Sequence, residues 1–201
     1  MMIKIKEDLK LPAVLFISLP LVSAGAAGSF FSRSLSLLSY AGLILAVSLS
    51  ALPLILNKSL NISKETGEGL RRSQFYSMCI NGFMLLIIAI YIIYKSAILF
   101  ANPRGINLSL AGWMALSALT GLIFCMLILY PEIRKNKDMK ILFIKYAVCA
   151  ALMPLVTAAS VVYYVKDMYF LDPAVSVFIA VFIIIQTALI MKQAFFTLIQ
   201  K

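Results

Sequence analysis

Tyr146, Cys149 and Met153 stand at i, i+3 and i+7 of one unbroken apolar run, which places a phenol, a thiol and a thioether on a single helix face. Cys79 and Asn81 lie two apart in another such run. Thiolate with thioether would suit a soft ion such as Cu(I) better than Zn(II). The same residue types also fill gaps in any core, and packing is the commoner use of Met and Cys. Lys145, next to that face, opposes a cation there, unless its aliphatic stem carries the ammonium to the membrane edge.

Other chemistry is hard to build from this chain. There is no His, and the acids Glu7, Asp8, Glu65, Glu68, Glu132, Asp138, Asp167 and Asp172 all fall in polar loops or at the ends of apolar runs. No Cys-x-x-Cys pair, Ser/His/Asp set, Gly-rich phosphate loop or paired carboxylates can be found, so an enzyme is not expected, nor a resident cofactor. The polar groups left inside the apolar runs are mild: Ser39, Tyr40, Ser48 and Ser50, then Ser77 and Asn81, then Tyr146, Thr157 and Ser160. Such groups generally hydrogen-bond a neighbouring helix or their own backbone.

The elements that must position these residues follow from composition. With 63% hydrophobic and 13% charged residues and a mean hydropathy of +1.00, a chain of 201 residues cannot hide its apolar side chains from water, so its solvent is lipid. About 20 apolar residues cross a hydrocarbon core, and six runs qualify, at about 11–31, 35–56, 75–100, 109–130, 141–165 and 173–191. The runs lack the period-two alternation of a barrel. The expected fold is an all-α membrane protein of six transmembrane helices in a single domain. After Met191 only KQAFFTLIQK remains, so no C-terminal cytoplasmic domain is expected.

Charge orients the chain. Lys4, Lys6, Lys10, Lys58, Lys64, Arg71, Arg72, Arg134, Lys135, Lys137, Lys140, Lys192 and Lys201 all fall on one side of a six-span topology. Arg33, Arg104 and Lys166 fall on the other, with Lys95 and Lys145 inside runs. Basic loops resist translocation, so both termini are expected to be cytoplasmic, in a cell (inner) membrane. The net charge of +10 is thus first a topology signal. Nucleic acid is not an expected partner, because the basic residues are scattered over separate loops. The basic start and Ala24-Gly25-Ala26 imitate a signal peptide, but Glu7, Asp8 and the length of the run fit a retained helix better. Cys79, Cys125 and Cys149 all lie in apolar runs and read as small embedded hydrophobes. Pro53 and Pro154, in the second and fifth runs, could kink those helices apart or be plain packing irregularities. Asp172 and Pro173 open the sixth run, where the acid is expected to accept bonds from unpaired amides of its own helix and the Pro to suit the first helical position.

The order of motifs resembles the cation diffusion facilitators, proton-coupled exporters of divalent cations. SRSLSLLSYAGL resembles the family's Ser-rich entry to the second helix. GEGLRRSQFYSMCINGFMLLIIAIYIIYKSAILFANP resembles its basic loop and third helix, and FLDPAVSVFIAVFIIIQTALIMKQAFFTLI its sixth. The resemblance implies a cation-efflux transmembrane domain that works as a homodimer, or a heterodimer with a relative. It also implies a divalent-cation site between the second and fifth helices, built from two i, i+4 pairs of carboxylates or carboxylate with His.

On this sequence the first pair aligns with Tyr40 and Ile44. The second, about 22 residues or roughly six turns before Asp172, aligns with Ala150 and Tyr146. None of the four is a carboxylate or His, and a neutral phenol is a poor ligand for a divalent ion. Three readings stand. The chain exports a divalent cation by proton antiport with a lost or altered site, Asn81, Cys149 and Met153 being the alternative polar or soft ligands. It is a non-transporting partner or regulatory subunit of a related transporter. Or it is an unrelated six-span scaffold or small-solute carrier.

Overall fold

The computed structural model describes residues 10–52, 55, 67–102, 105–133, 137–166 and 170–199. Among them every regular element is helical: α1 (Lys10–Ser32), α2 (Leu35–Leu49), α3 (Gly67–Ala101), α4 (Leu108–Leu129), a 3-10 turn (Tyr130–Glu132), α5 (Lys137–Lys166) and α6 (Leu171–Ile199). By length and composition five of the six can cross a membrane; α2 is the shorter, apolar exception.

The sequence reading carried the second span to residue 56, whereas α2 stops at Leu49. Proline explains the stop. A proline at position 53 has no N–H to offer a carbonyl four residues back, which disfavours carrying the helix on from Leu49. The backbone tightens first, Ala51 N donating to the Ser48 carbonyl at 3.0 Å. In α3 the difference runs the other way, because the basic stretch from Gly67 onward is already helical. Glu68 precedes Arg71 and Arg72 by three and four residues, a spacing that favours a helix even where hydropathy is low. Similarly, α6 runs on through 192–199.

Helix α2 is central: twelve of its fifteen residues are buried, and it packs against α1, α3, α5 and α6. Around it α3 pairs chiefly with α6, α1 with α4, and α4 with α5. Small residues permit these approaches. A methyl at Gly25 would stand 3.0 Å from the Ala41 methyl, and one at Gly42 would stand 3.1 Å from Ile88 of α3. Met191 of α6 lies over Gly82 of α3, and Leu21 of α1 over Gly121 of α4.

One core joins all six helices, including Val14, Ile44, Leu85, Leu122, Tyr146 and Ile179. The outer surface is apolar as well, with Phe16, Phe30, Trp113 and Leu127 well exposed. Apolar surface on that scale cannot face water. At one end of the bundle Lys10 of α1 forms an ion pair with Glu132, just past α4. At the other, the Asn107 amide donates to the Ser32 carbonyl at 2.9 Å, and the Asn107 side chain caps α4 by accepting from Leu110 N at 3.3 Å.

Candidate transport site between α2 and α5

Tyr40, Ile44 and Ser48 recur every four residues on α2 and share one face. All three are buried. The facing surface of α5 presents Tyr146, Cys149 and Met153, also buried, with Ala150 packed against the same core. The structure therefore brings the four family-aligned positions to one seam and closes it from both sides. The Tyr40 hydroxyl donates to the Cys149 carbonyl at 3.0 Å. The Tyr146 hydroxyl lies 3.3 Å from Ser48 Oγ. Because Ser48 spends its own proton on the Ile44 carbonyl at 2.7 Å, Tyr146 is the donor in that contact. Each helix thus bonds the other through a phenol.

Several other hydroxyls turn inward on their own helices, whereas Ser96 Oγ is buried without a partner. Ser39, Thr120, Ser176 and Thr187 each donate to the carbonyl four residues earlier, at 2.7 to 2.9 Å. Thr157 bonds the Pro154 carbonyl at 2.9 Å. These groups offer no free ligand shell. Among the described residues no cluster of three or more His, Cys, Asp or Glu exists that could hold a metal.

The alternative ligands are divided between elements. Cys149 and Met153 share the α5 face, whereas Asn81 is on α3, which packs against α6 and α2. Its Oδ1 is buried without a partner. Cys125 of α4 is also fully buried and lies 4.0 Å from the Val14 carbonyl.

Asp172 does something the sequence reading placed elsewhere. It sits in the first turn of α6, yet its carboxylate crosses to the start of α2. Oδ1 accepts from Ser34 Oγ at 2.9 Å, Ser36 N at 3.1 Å and Ser36 Oγ at 2.6 Å, and Oδ2 accepts from Leu35 N at 2.8 Å. It caps α2, not α6. An anion there also meets the positive end of the α2 dipole. Pro173 is the third residue of α6 rather than the first, a place where its missing N–H still costs nothing, since the first four amides of a helix have no intrahelical partner. The residues whose role sequence reasoning missed are these partners, Ser34 and Ser36. A signal existed in the Ser-rich spacing SRSLSLLS, because Ser is a strong N-cap former.

A family model described as the cation efflux transmembrane domain matches residues 11–199. The chain is similar to the "Cadmium, cobalt and zinc/H(+)-K(+) antiporter" of Bacillus subtilis (strain 168), with 36% identity over 81 residues, 39% of this chain and 26% of that protein. The aligned stretch thus spans about a quarter of the length of that relative. A match over nearly the whole described fold, six helices with an apolar exterior and a seam between the second and fifth, makes this multi-pass integral membrane protein a member of the cation efflux family.

Proposed function

We propose that the chain serves as a subunit of a cation-efflux transporter in which its own α2–α5 seam is a closed structural element, and in which a carboxylate-bearing relative carries the ion. One observation supports this above the others: the four family-aligned positions hold two phenols and two aliphatic groups, with both phenols engaged across the seam. A divalent cation at mid-membrane needs charged or strongly polar ligands to replace its water. Phenols that already donate to a carbonyl and a hydroxyl offer none. On this reading the chain pairs with a related subunit in the inner cell membrane, both termini cytoplasmic as the basic loops indicate.

The family membership and the name of the relative favour a second reading, divalent-cation export by proton antiport through this chain itself. Metal flux into proteoliposomes separates the two. The purified chain is compared with the variant carrying Tyr40→Asp, Ile44→Asp, Tyr146→His and Ala150→Asp. Zinc, cadmium or cobalt flux confined to the variant is the expected outcome, since the variant regains both i, i+4 ligand pairs. Proton-coupled flux in the native chain would sink the closed-seam reading and establish the second.

A further inference from the structure

An open groove of about 1030 Å³ lies where the end of α1, the start of α2 and the outer third of α3 meet. Its lining mixes cations with apolar side chains. Arg33, in the turn between α1 and α2, and Lys95, on α3, supply two cations, while Leu35, Leu38, Ile98 and Leu99 supply apolar wall. Arg33 lies at the level of the helix ends, and Lys95 is six residues before the end of α3, about 9 Å deeper at 1.5 Å per residue. The groove therefore runs from the helix ends into the hydrocarbon with a cation at each end of an apolar stretch, since Leu35, Leu38, Ile98 and Leu99 lie at depths between Arg33 and Lys95.

Neither cation is neutralised by an ion pair among the described residues, where Lys10–Glu132 is the only one. Lys95 Nζ stands over the Tyr91 ring at 5.7 Å from its centroid, a contact that positions the ammonium and leaves its charge intact. Arg33 lies in the turn with its backbone at φ 58°, and its side chain is exposed. Among the described residues Asp172 is the acid in reach of this region, since Ser34 and Leu35 line the groove and both bond its carboxylate. That carboxylate is buried behind the wall and holds four donors, so it cannot also turn to the cations. Two positive charges less this one negative charge leave a net of +1.

We infer that this groove binds one monoanionic phospholipid, its phosphodiester between Arg33 and Lys95 and an acyl chain along Leu35, Leu38 and Ile98. The net charge matches a single phosphodiester whose headgroup carries no compensating cation. A zwitterionic lipid would bring its ammonium toward Arg33 and Lys95 and lose the advantage. The combination of two cations with an apolar wall between them also disfavours a soluble phosphate, which has no use for the wall.

The test is lipid retention by the full chain in nanodiscs containing equal phosphatidylglycerol and phosphatidylcholine, released into detergent and weighed by native mass spectrometry. One phosphatidylglycerol per chain is expected, in clear excess over phosphatidylcholine. A Lys or Arg near a membrane surface contributes about fivefold to anionic lipid binding. Arg33→Gln and Lys95→Gln should each lower the preference by about that factor, the double variant should erase it, and Arg33→Lys with Lys95→Arg should keep it. Leu38→Trp fills the wall with the charges untouched and should expel the lipid, which covers the case in which the charge variants fail to fold. Equal retention of both lipids, or a preference that survives the double variant or Leu38→Trp, overturns the site. Displacement by glycerol 1-phosphate overturns the lipid as its occupant and points to a soluble phosphate instead.

Discussion

Asp172 accepts three bonds on Oδ1 and one on Oδ2, all from Ser34, Leu35 and Ser36. It is 5% exposed, so those donors have no water to fall back on, and the acid is the only acceptor that serves all of them. Replacing it tests that dependence. Asp172→Ala is expected to destabilise the chain by about 2 to 4 kcal/mol, because several buried donors lose their partner together. Asp172→Asn should cost roughly half as much, since the amide oxygen still accepts while its NH2 faces other donors. Thermal unfolding in detergent micelles measures both, and an Ala variant as stable as the native chain would mean that the cluster does not hold α2 in place. The acid's role as a cap was legible in the sequence, but its target was not. Ser34 and Ser36 lie 138 and 136 residues away along the chain, and an acid before a proline at a helix start points by default to its own helix. Only the packing of α6 against α2 brings the other helix end closer.

Helices were the most legible level, because apolar runs of spanning length are a property of composition alone. Their ends were less legible: the second run was carried past Pro53 to residue 56, whereas α2 stops at Leu49. They were hidden where the helix outlasts its hydropathy, as in 67–74 of α3 and 192–199 of α6. Which helices touch was not legible, since every face of these segments is greasy and hydropathy alone does not tell a lipid-facing Leu from a buried one. Glycines carry part of that information. In α4, Gly121 and Gly112 look alike in sequence, yet a methyl at Gly121 would collide with Leu21 Cδ1 and stand 2.9 Å from its Cγ, whereas one at Gly112 meets nothing within 4 Å. Gly121→Ala is therefore expected to destabilise by about 1 to 3 kcal/mol through forced repacking of Leu21. Gly112→Ala should be neutral or stabilising by up to about 1 kcal/mol, the helix-propensity difference between the residues. Unfolding in sodium dodecyl sulfate titrations checks the pair, and equal effects at the two positions would contradict the α1–α4 packing.

At the scale of the whole molecule, the sequence located the seam but could not say whether it is open. Tyr40 and Tyr146 could be recognised as residues in place of ligands, whereas their cross-bonding depends on Ser48 and on the Cys149 carbonyl, a backbone atom invisible to any motif. A transporter that alternates access must expose its mid-membrane site to water from each side in turn, and a locked seam should not. Cys149 reports on this directly, since it is 1% exposed and its carbonyl receives the Tyr40 bond. In a chain whose Cys79 and Cys125 are replaced by serine and alanine, a water-soluble maleimide is expected to leave Cys149 unmodified in proteoliposomes, with and without zinc. Adding Tyr40→Phe and Tyr146→Phe removes both cross-helix bonds, each contributing about 1 kcal/mol, which corresponds to roughly thirtyfold more of the open form together. The labelling rate should rise by about that factor if opening is rapid relative to modification. Rapid labelling of Cys149 with both tyrosines in place would show that water reaches the seam of the native chain, and the two phenols would then line an ion path instead of closing one.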